Sequence, residues 1–177
     1  PPFSYQDDDV LTGFDLEYII LFAREYGYKL ELNTVDFSFI LGSVQTGKYD
    51  LALGGITITD ERKEVLNFTD SHYQSSVIMV TKGNDSGQTS LSDLSDKRLG
   101  IVTGSIFSIT LPPLLPDATY LEFNNYSDVI SALENGKIDA FPTDESIYKS
   151  MLWEGSSVDR IDESIAVSDY GMIFPKG

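Results

Sequence analysis

The stretch Gly54-Gly55-Ile56-Thr57-Ile58-Thr59-Asp60-Glu61-Arg62 gathers several groups that can hold a small charged molecule. A guanidinium is a planar fork of donors that fits a carboxylate bidentately. The Thr57 hydroxyl can donate to an anion or accept from a cation. Gly54 and Gly55 have no Cβ, so another molecule can approach their backbone groups. Thr59 reads as a helix N-cap with Asp60 and Glu61 in the favourable first turn, which puts Arg62 on a rigid helix start. Taken alone, these residues fit a milder account better: Arg62 pairs with Asp60 or Glu61 in solvent.

Two further places could contribute. Thr103-Gly104-Ser105 follows an apolar run and opens a helical pattern. The amides of Ser105 and Ile106 could there meet an anion at a positive helix end, or Ser105 could serve only as a cap. Asp144, in Pro142-Thr143-Asp144, stands after a strand pattern and before a helix, where ligand sites of α/β sheets lie. It could equally be an N-cap. His72, the one histidine, reads as structural or exposed.

The totals narrow the classes. The chain has 177 residues, room for one domain or two small lobes, and a formal net charge of −16. Such acidity repels nucleic acid and anionic lipid, so neither is an expected partner. There is no cysteine, which removes disulfides, thiolate metal sites and cysteine nucleophiles and suits an exported protein. One histidine rules out a multi-histidine metal centre, and no metal or cofactor is expected. Asp7-Asp8-Asp9 reads as a solvated turn, since the spacing of a calcium loop is missing. No apolar run reaches membrane-span length. The sequence opens at Pro1-Pro2 without a signal peptide, and the expectation is a chain trimmed of any export signal.

The elements that must position these residues follow from periodicity. Phe3–Val10 reads as a strand into an acidic turn. A helix opens at Gly13-Phe14-Asp15, with Leu16, Ile19, Ile20, Ala23 and Tyr26 inward and Gly27 as its stop. Strands are expected at Lys29–Val35, Asp50–Leu53, Ser75–Lys82, Lys97–Thr103, Ala118–Phe123, Asp139–Phe141 and Tyr170–Pro175. Helices are expected at 38–46, Ser105–Leu114, Ser127–Asn135 and Asp144–Trp153. Gly83–Ser90 is a turn-rich connector. The alternation implies an α/β fold with largely parallel sheets. An internal echo pairs SFILGSVQTGKYDLA, from Ser38, with SDVISALENGKIDAF, from Ser127, 89 residues later. One unit explains both copies: a serine-capped helix, a glycine stop at Gly47 or Gly136, and a turn into a buried strand.

The echo, the Gly13-Phe14-Asp15 start and GGITITDERKEVLNFTDSHY together resemble the extracellular solute-binding proteins of amino-acid ABC transporters (family 3), similar to glutamine- and lysine/arginine/ornithine-binding proteins. The likeness is strong over Pro2–Gly83, fair over Leu91–Gly104 and Asn125–Ser146, and weak over Ile106–Pro116 and Trp153–Ser168. It implies the type II periplasmic-binding-protein fold: two α/β lobes joined by two crossing strands, with the ligand held between them. Lobe one would be 1–81 and 172–177, truncated at its N- and C-terminal edges and so exposing an apolar edge. Lobe two would be 82–171. The implied ligand residues are Gly55, Thr57 and Arg62, then Ser105, with Asp144 on the ligand ammonium and Phe37 lining the side-chain pocket. At Ile106 only the backbone could serve.

The function this implies is binding of a free amino acid with ligand-induced closure, at a periplasmic or extracellular location, for a membrane permease. Membrane anchoring would have to come from regions outside this chain. A sensing domain of a signalling protein or of a fused permease would use the same cleft. A dehydratase-like enzyme on this fold would need a general acid or base, and no such constellation is left over. A lobe used only for protein contact would bind no small molecule.

Overall fold

The protein, a computed structural model, is described over residues 1–83, 87 and 89–177. It divides into two units. The first comprises Pro1–Val35, Phe39–Gln74 and Asp169–Gly177; the second comprises Asp36–Ser38 and Ser75–Ser168. The chain changes unit between Gln74 and Ser75 and between Ser168 and Asp169, a few residues before the borders expected at 81/82 and 171/172. The expected connector Gly83–Ser90 lies partly outside the described residues.

In the first unit, β1 (Tyr5–Asp7) and β2 (Val10–Thr12) pair antiparallel. The acidic triplet therefore turns a hairpin instead of ending a single strand, and Asp8 takes the left-handed conformation at φ +50°, which aspartate tolerates. Helix α1 (Phe14–Tyr26) ends at Gly27, whose amide donates to Ala23 O. It buries Asp15, Leu16, Ile19 and Ala23. Ile20 and Tyr26, expected inward, are 42% and 68% exposed. Asp15 shifts the inward stripe so that Ile20 falls at its edge, and Tyr26 lies in the last turn. Leu16 and Ile19 pack with Met172, flanked by Leu11, Leu51 and Leu53. The outer side of α1 leaves Leu21 and Phe22 exposed, as are Tyr26 and Tyr28.

The alternating segment Lys29–Val35 is not a strand. Leu30 and Leu32 are exposed, and no described strand runs beside it to complete a ladder. Helix α2 (Phe37–Gln45) contains Ser38 within its first turn, so that serine is not its cap. Helix α3 (Asp60–Val65) is capped as expected, with Thr59 Oγ1 accepting from Arg62 N at 3.2 Å. In place of a strand over Asp50–Leu53 there is a single bridge, Ala52 to Ile173.

The second unit is built on one sheet. Its strands are β4 (Tyr73–Lys82, entering from the first unit), β5 (Arg98–Val102), β6 (Thr119–Phe123), β7 (Ala140–Asp144) and β8 (Val158–Arg160), with β9 (Ala166–Tyr170) also on β4. The order is β6-β5-β7-β4-β8. β5 is parallel to β6 and β7, while β4 is antiparallel to β7 and β8. The sheet is thus mixed, correcting the expectation of largely parallel pairing: β4 arrives without a crossover helix and runs against the others. Of the last strand expected, Tyr170–Pro175, Tyr170 ends β9 and only Ile173–Pro175 forms a strand of its own, β10, which pairs with an unforeseen β3 (Leu66–Phe68) in the first unit.

Period-two alternation on β4 feeds two layers. Ile78 and Val80 join Val129, Leu133, Phe141 and Met151 beside α5 (Tyr126–Glu134) and α6 (Glu145–Trp153). Val77 and Met79 join Leu99, Ile101, Phe107 and Leu111 on the other face. Each such fully buried side chain contributes about 1.5–3 kcal/mol. Helix α4 is only Phe107–Thr110, because Pro112 and Pro113 lack amide donors and bar the residues before them from continuing the helix. The cap of α5 is Asn125, whose Oδ1 accepts from Asp128 N at 2.9 Å; Ser127 lies inside the helix.

Of the echo, the glycine stops survive; neither serine caps its helix, and the first copy leads into the single bridge at Ala52 where the second leads into β7. Gly47 and Gly136 sit at φ +72° and +68°. Their amides donate to Val44 O and Leu133 O at 2.9 and 3.0 Å, and those of Lys48 and Lys137 to Ser43 O and Ala132 O at 2.9 and 2.8 Å. A Cβ at either glycine would meet nothing within 4 Å, so only backbone strain opposes a side chain there. Gly47→Ala and Gly136→Ala should therefore cost alike, about 1 kcal/mol each, read as equal falls in thermal midpoint.

Arg98 and Asp139 tie β5 to the start of β7. Arg98 Nη2 lies 2.7 Å from Asp139 Oδ1, and Nε and the amide of Arg98 donate to Oδ2 at 3.0 and 2.9 Å. The Arg98 side-chain bond, its backbone bond and its charge hold the Asp139 carboxyl below its ordinary range. A carboxyl lowered in the folded state adds stability above its unfolded pKa and loses it as pH falls through the folded one. Asp139→Asn should accordingly melt below the parent at pH 7, with the gap closing toward pH 2.

Candidate functional site

The double glycine owes its shape to a register mismatch. Ala52 bridges Ile173 and Thr57 bridges Tyr170. Five steps separate Ala52 from Thr57, against three from Tyr170 to Ile173, so two residues are squeezed out of the ladder as a bulge. Gly54 and Gly55 adopt φ +123° and +69°, which a residue with a side chain rarely takes. Both of their amides then point at one acceptor: Asp15 Oδ2 receives Gly54 N at 3.0 Å and Gly55 N at 3.1 Å. Below the bulge the ladder resumes, with Gly171 N on Ile56 O and Ile58 N on Asp169 O.

This corrects one expectation. The glycine amides are engaged, and a Cβ on Gly55 would meet the Phe3 ring at 3.2 Å and Tyr170 at 3.5 Å. Of its backbone groups, Gly55 can offer a ligand its carbonyl oxygen, an acceptor.

Arg62 is 8% exposed, which removes the reading of a solvent ion pair. Its Nη1 donates to Thr57 O at 2.7 Å, so the guanidinium is oriented by the strand just below the bulge. Burial lowers its pKa, opposed by the weaker attraction of Glu61. In so dry a setting a carboxylate interacts with a guanidinium more strongly than it would in water. Gly55, Thr57 and Arg62 are therefore gathered within the first unit. A groove of about 680 Å³ in the same unit, lined by residues including Lys63, Asn67, Thr69 and Asp169, shares none of them.

Phe37, Ser105 and Asp144 belong to the second unit. Asp144, 5% exposed, ends β7 at the N-cap position of α6, yet its side chain makes no cap bond. Its charge reaches Tyr126, whose phenol is pushed well up by burial first and by Asp144 second. Ser105 differs from expectation. Its amide donates to Val102 O at 3.0 Å, and α4 is too short to present an anion site at its end. The Ser105 hydroxyl is buried and has no hydrogen-bond partner among the described residues. Phe37 is half-buried against the apolar layer that also takes up Tyr126.

Two residues that the sequence reading left out of the site stand next to it. Asp15, 1% exposed, holds the bulge, and its Oδ1 accepts from His72 Nε2 at 2.8 Å. The His72 ring stacks on those of Phe14 and Tyr18, with centroids 6.1 and 5.8 Å away. A charged residue at an inward helix position was the available signal for Asp15.

Residues 1–105 match the family model described as bacterial extracellular solute-binding proteins, family 3. The chain is 33% identical over 141 residues to the arginine-binding extracellular protein ArtP of Bacillus subtilis (strain 168), an alignment covering 78% of this chain and 55% of ArtP. It thus spans about half the length of that curated relative. Among solved structures, an ancestral arginine-binding protein bound to arginine superposes with a TM-score of 0.91 at 31% identity, covering 100% of this chain and 80% of that one. An ancestral arginine-binding protein bound to glutamine gives 0.92, again at 31% identity and with the same coverage. The fold is that of the type II periplasmic binding proteins, and the chain belongs to the bacterial extracellular solute-binding proteins, family 3.

Proposed function

We propose that this chain is the ligand-holding part of an extracellular or periplasmic receptor that captures a free amino acid for the membrane permease of an ABC transporter. The observation that carries the reading is Arg62: a buried guanidinium on a Thr59-capped helix, tethered to Thr57 O. It would take the α-carboxylate as a bidentate pair. The Gly55 carbonyl, the Thr57 hydroxyl and the Asp144 carboxylate would accept from the α-ammonium. Ser105 would contribute its hydroxyl, and Phe37 would flank the side chain. Binding starts on the first unit, and the second set of residues joins by a hinge motion that excludes water and strengthens both charge pairs. The roles are those of a receptor, with no group assigned to bond breaking.

Arg62 and Asp144 address only the α-carbon groups, so a screen must vary the side chain. Thermal melts with each common amino acid test the reading, beginning with L-arginine and L-glutamine. A ligand at a hundred times its Kd should stabilise by about 2.7 kcal/mol, or roughly 5–10 °C at this chain length. A melt that no amino acid moves would overturn it.

A further inference from the structure

We infer that Asp15 is a positioning residue for amino-acid binding, fixing the Gly54–Gly55 bulge from behind while His72 fixes Asp15. The inference rests on the reading of Gly55, Thr57 and Arg62 as ligand groups.

The bulge has nothing of its own to hold it. Its two extra residues lie between the Ala52–Ile173 bridge and the Thr57–Tyr170 bridge, outside either pairing. Both carry positive φ, a conformation that glycine reaches easily and leaves as easily. Among the described hydrogen bonds, what pins the two amides is one carboxylate oxygen, 39 and 40 residues away in sequence. Successive N–H groups converging on an anion form a nest, and the anion here is part of the chain.

Asp15 is itself locked. Its amide donates to Phe3 O at 2.9 Å, and its second oxygen accepts from His72 Nε2. The ring that donates stacks on Phe14 and Tyr18, both on the helix that carries Asp15, at interplanar angles of 24° and 18°. The backbone of His72 donates to Tyr170 O at 3.0 Å, and Tyr170 is the residue bridged to Thr57. One closed circuit therefore runs from Asp15 to the bulge, along it to Thr57, across to Tyr170, back to His72 and again to Asp15. Arg62 is attached to this circuit at Thr57 O. The orientation of the Gly55 carbonyl and of the Arg62 fork is thus set by a carboxylate that need not touch the ligand.

The test uses the intact chain and the amino acid that gives the largest thermal shift. Asp15→Ala, Asp15→Asn and His72→Phe are compared with the parent by calorimetry and by amide hydrogen exchange. Asp15→Asn keeps one acceptor oxygen for the glycine amides, and His72→Phe keeps the ring stack without the donor. A positioning role predicts at least a tenfold loss of affinity in Asp15→Ala and a smaller loss in Asp15→Asn. It also predicts faster exchange at Gly54 and Gly55 in all three, with exchange in β4 and β5 unchanged. A merely structural role would speed exchange throughout and leave the affinity of the folded fraction alone. Should Asp15→Ala not fold, the other two variants decide on the same readouts. Parental affinity in a folded His72→Phe and Asp15→Asn, or unchanged glycine exchange, would overturn the inference. Failure of the functional reading shows itself separately, as a parent chain that binds no amino acid.

Discussion

Replacing Arg62 by alanine is expected to abolish amino-acid binding at accessible concentrations while leaving the chain folded. Removing one partner of a desolvated charge pair costs about 2–5 kcal/mol, much of it from stranding the other charge, which corresponds to roughly 30- to several thousand-fold in Kd. The Thr59 cap is made to the backbone amide of Arg62, which alanine retains. The bond to Thr57 O is lost, but so is the desolvation burden that lowers the arginine pKa. The melting temperature without ligand should move by only a few degrees. Arg62→Lys restores the charge without the planar fork and should recover only part of the affinity. Calorimetry and thermal melts on the three proteins separate these effects.

The second large effect falls on stability. Gly13 stands at φ 126° and ψ 164°, a region open essentially to glycine alone and worth about 1–3 kcal/mol of strain to any other residue. Strain is the smaller part. A Cβ there would press into the Phe3 carbonyl, 2.6 Å from its carbon and 2.9 Å from Ser4 Cα. That carbonyl cannot retreat cheaply. It accepts the Asp15 amide, and the Phe3 ring stands edge-on to Tyr73 and Tyr170 at 5.1 and 4.9 Å. Gly13→Ala should therefore destabilise by at least ~3 kcal/mol, several times the effect at Gly47 or Gly136, where a Cβ meets open space. Urea unfolding measures the difference. A cost below about 1 kcal/mol would mean that the chain at Phe3 does not press on the helix start as described.

What could be read in advance was local. Thr59 before Asp60-Glu61 signals a cap, and glycine after a helical stripe signals Gly27, Gly47 and Gly136; the backbone angles agree at each. Ser75–Lys82 is apolar on both faces, and β4 is buried on both. The misreadings share a different cause. Lys29–Val35 has strand alternation, but a strand needs a neighbour, which a local pattern does not guarantee. The bulge at Gly54–Gly55 appears only once residues 52 and 57 are known to face 173 and 170. The glycines could be seen as permissive, while the destination of their amides, a carboxylate on α1, could not. At Ser105 the signal lies in the sequence itself: Pro112-Pro113 confines the helix to Phe107–Thr110, too short to offer an anion the dipole of a longer one. Arg62 lay between these cases. Its residue type suggested a carboxylate, but its burial, which favours that role over a solvent ion pair, depends on the whole first unit.

The most direct measurement sets one charge on the protein against one on the ligand. The amino acid that gives the largest thermal shift and its α-carboxamide, identical but for the neutralised carboxylate, are titrated calorimetrically into the parent and into Arg62→Ala. If the guanidinium holds the carboxylate, the parent prefers the acid by about 30-fold or more and the variant shows almost no preference between the two. An Arg62→Ala chain that still prefers the acid by the parental margin, or a parent that binds the amide equally well, would contradict the account.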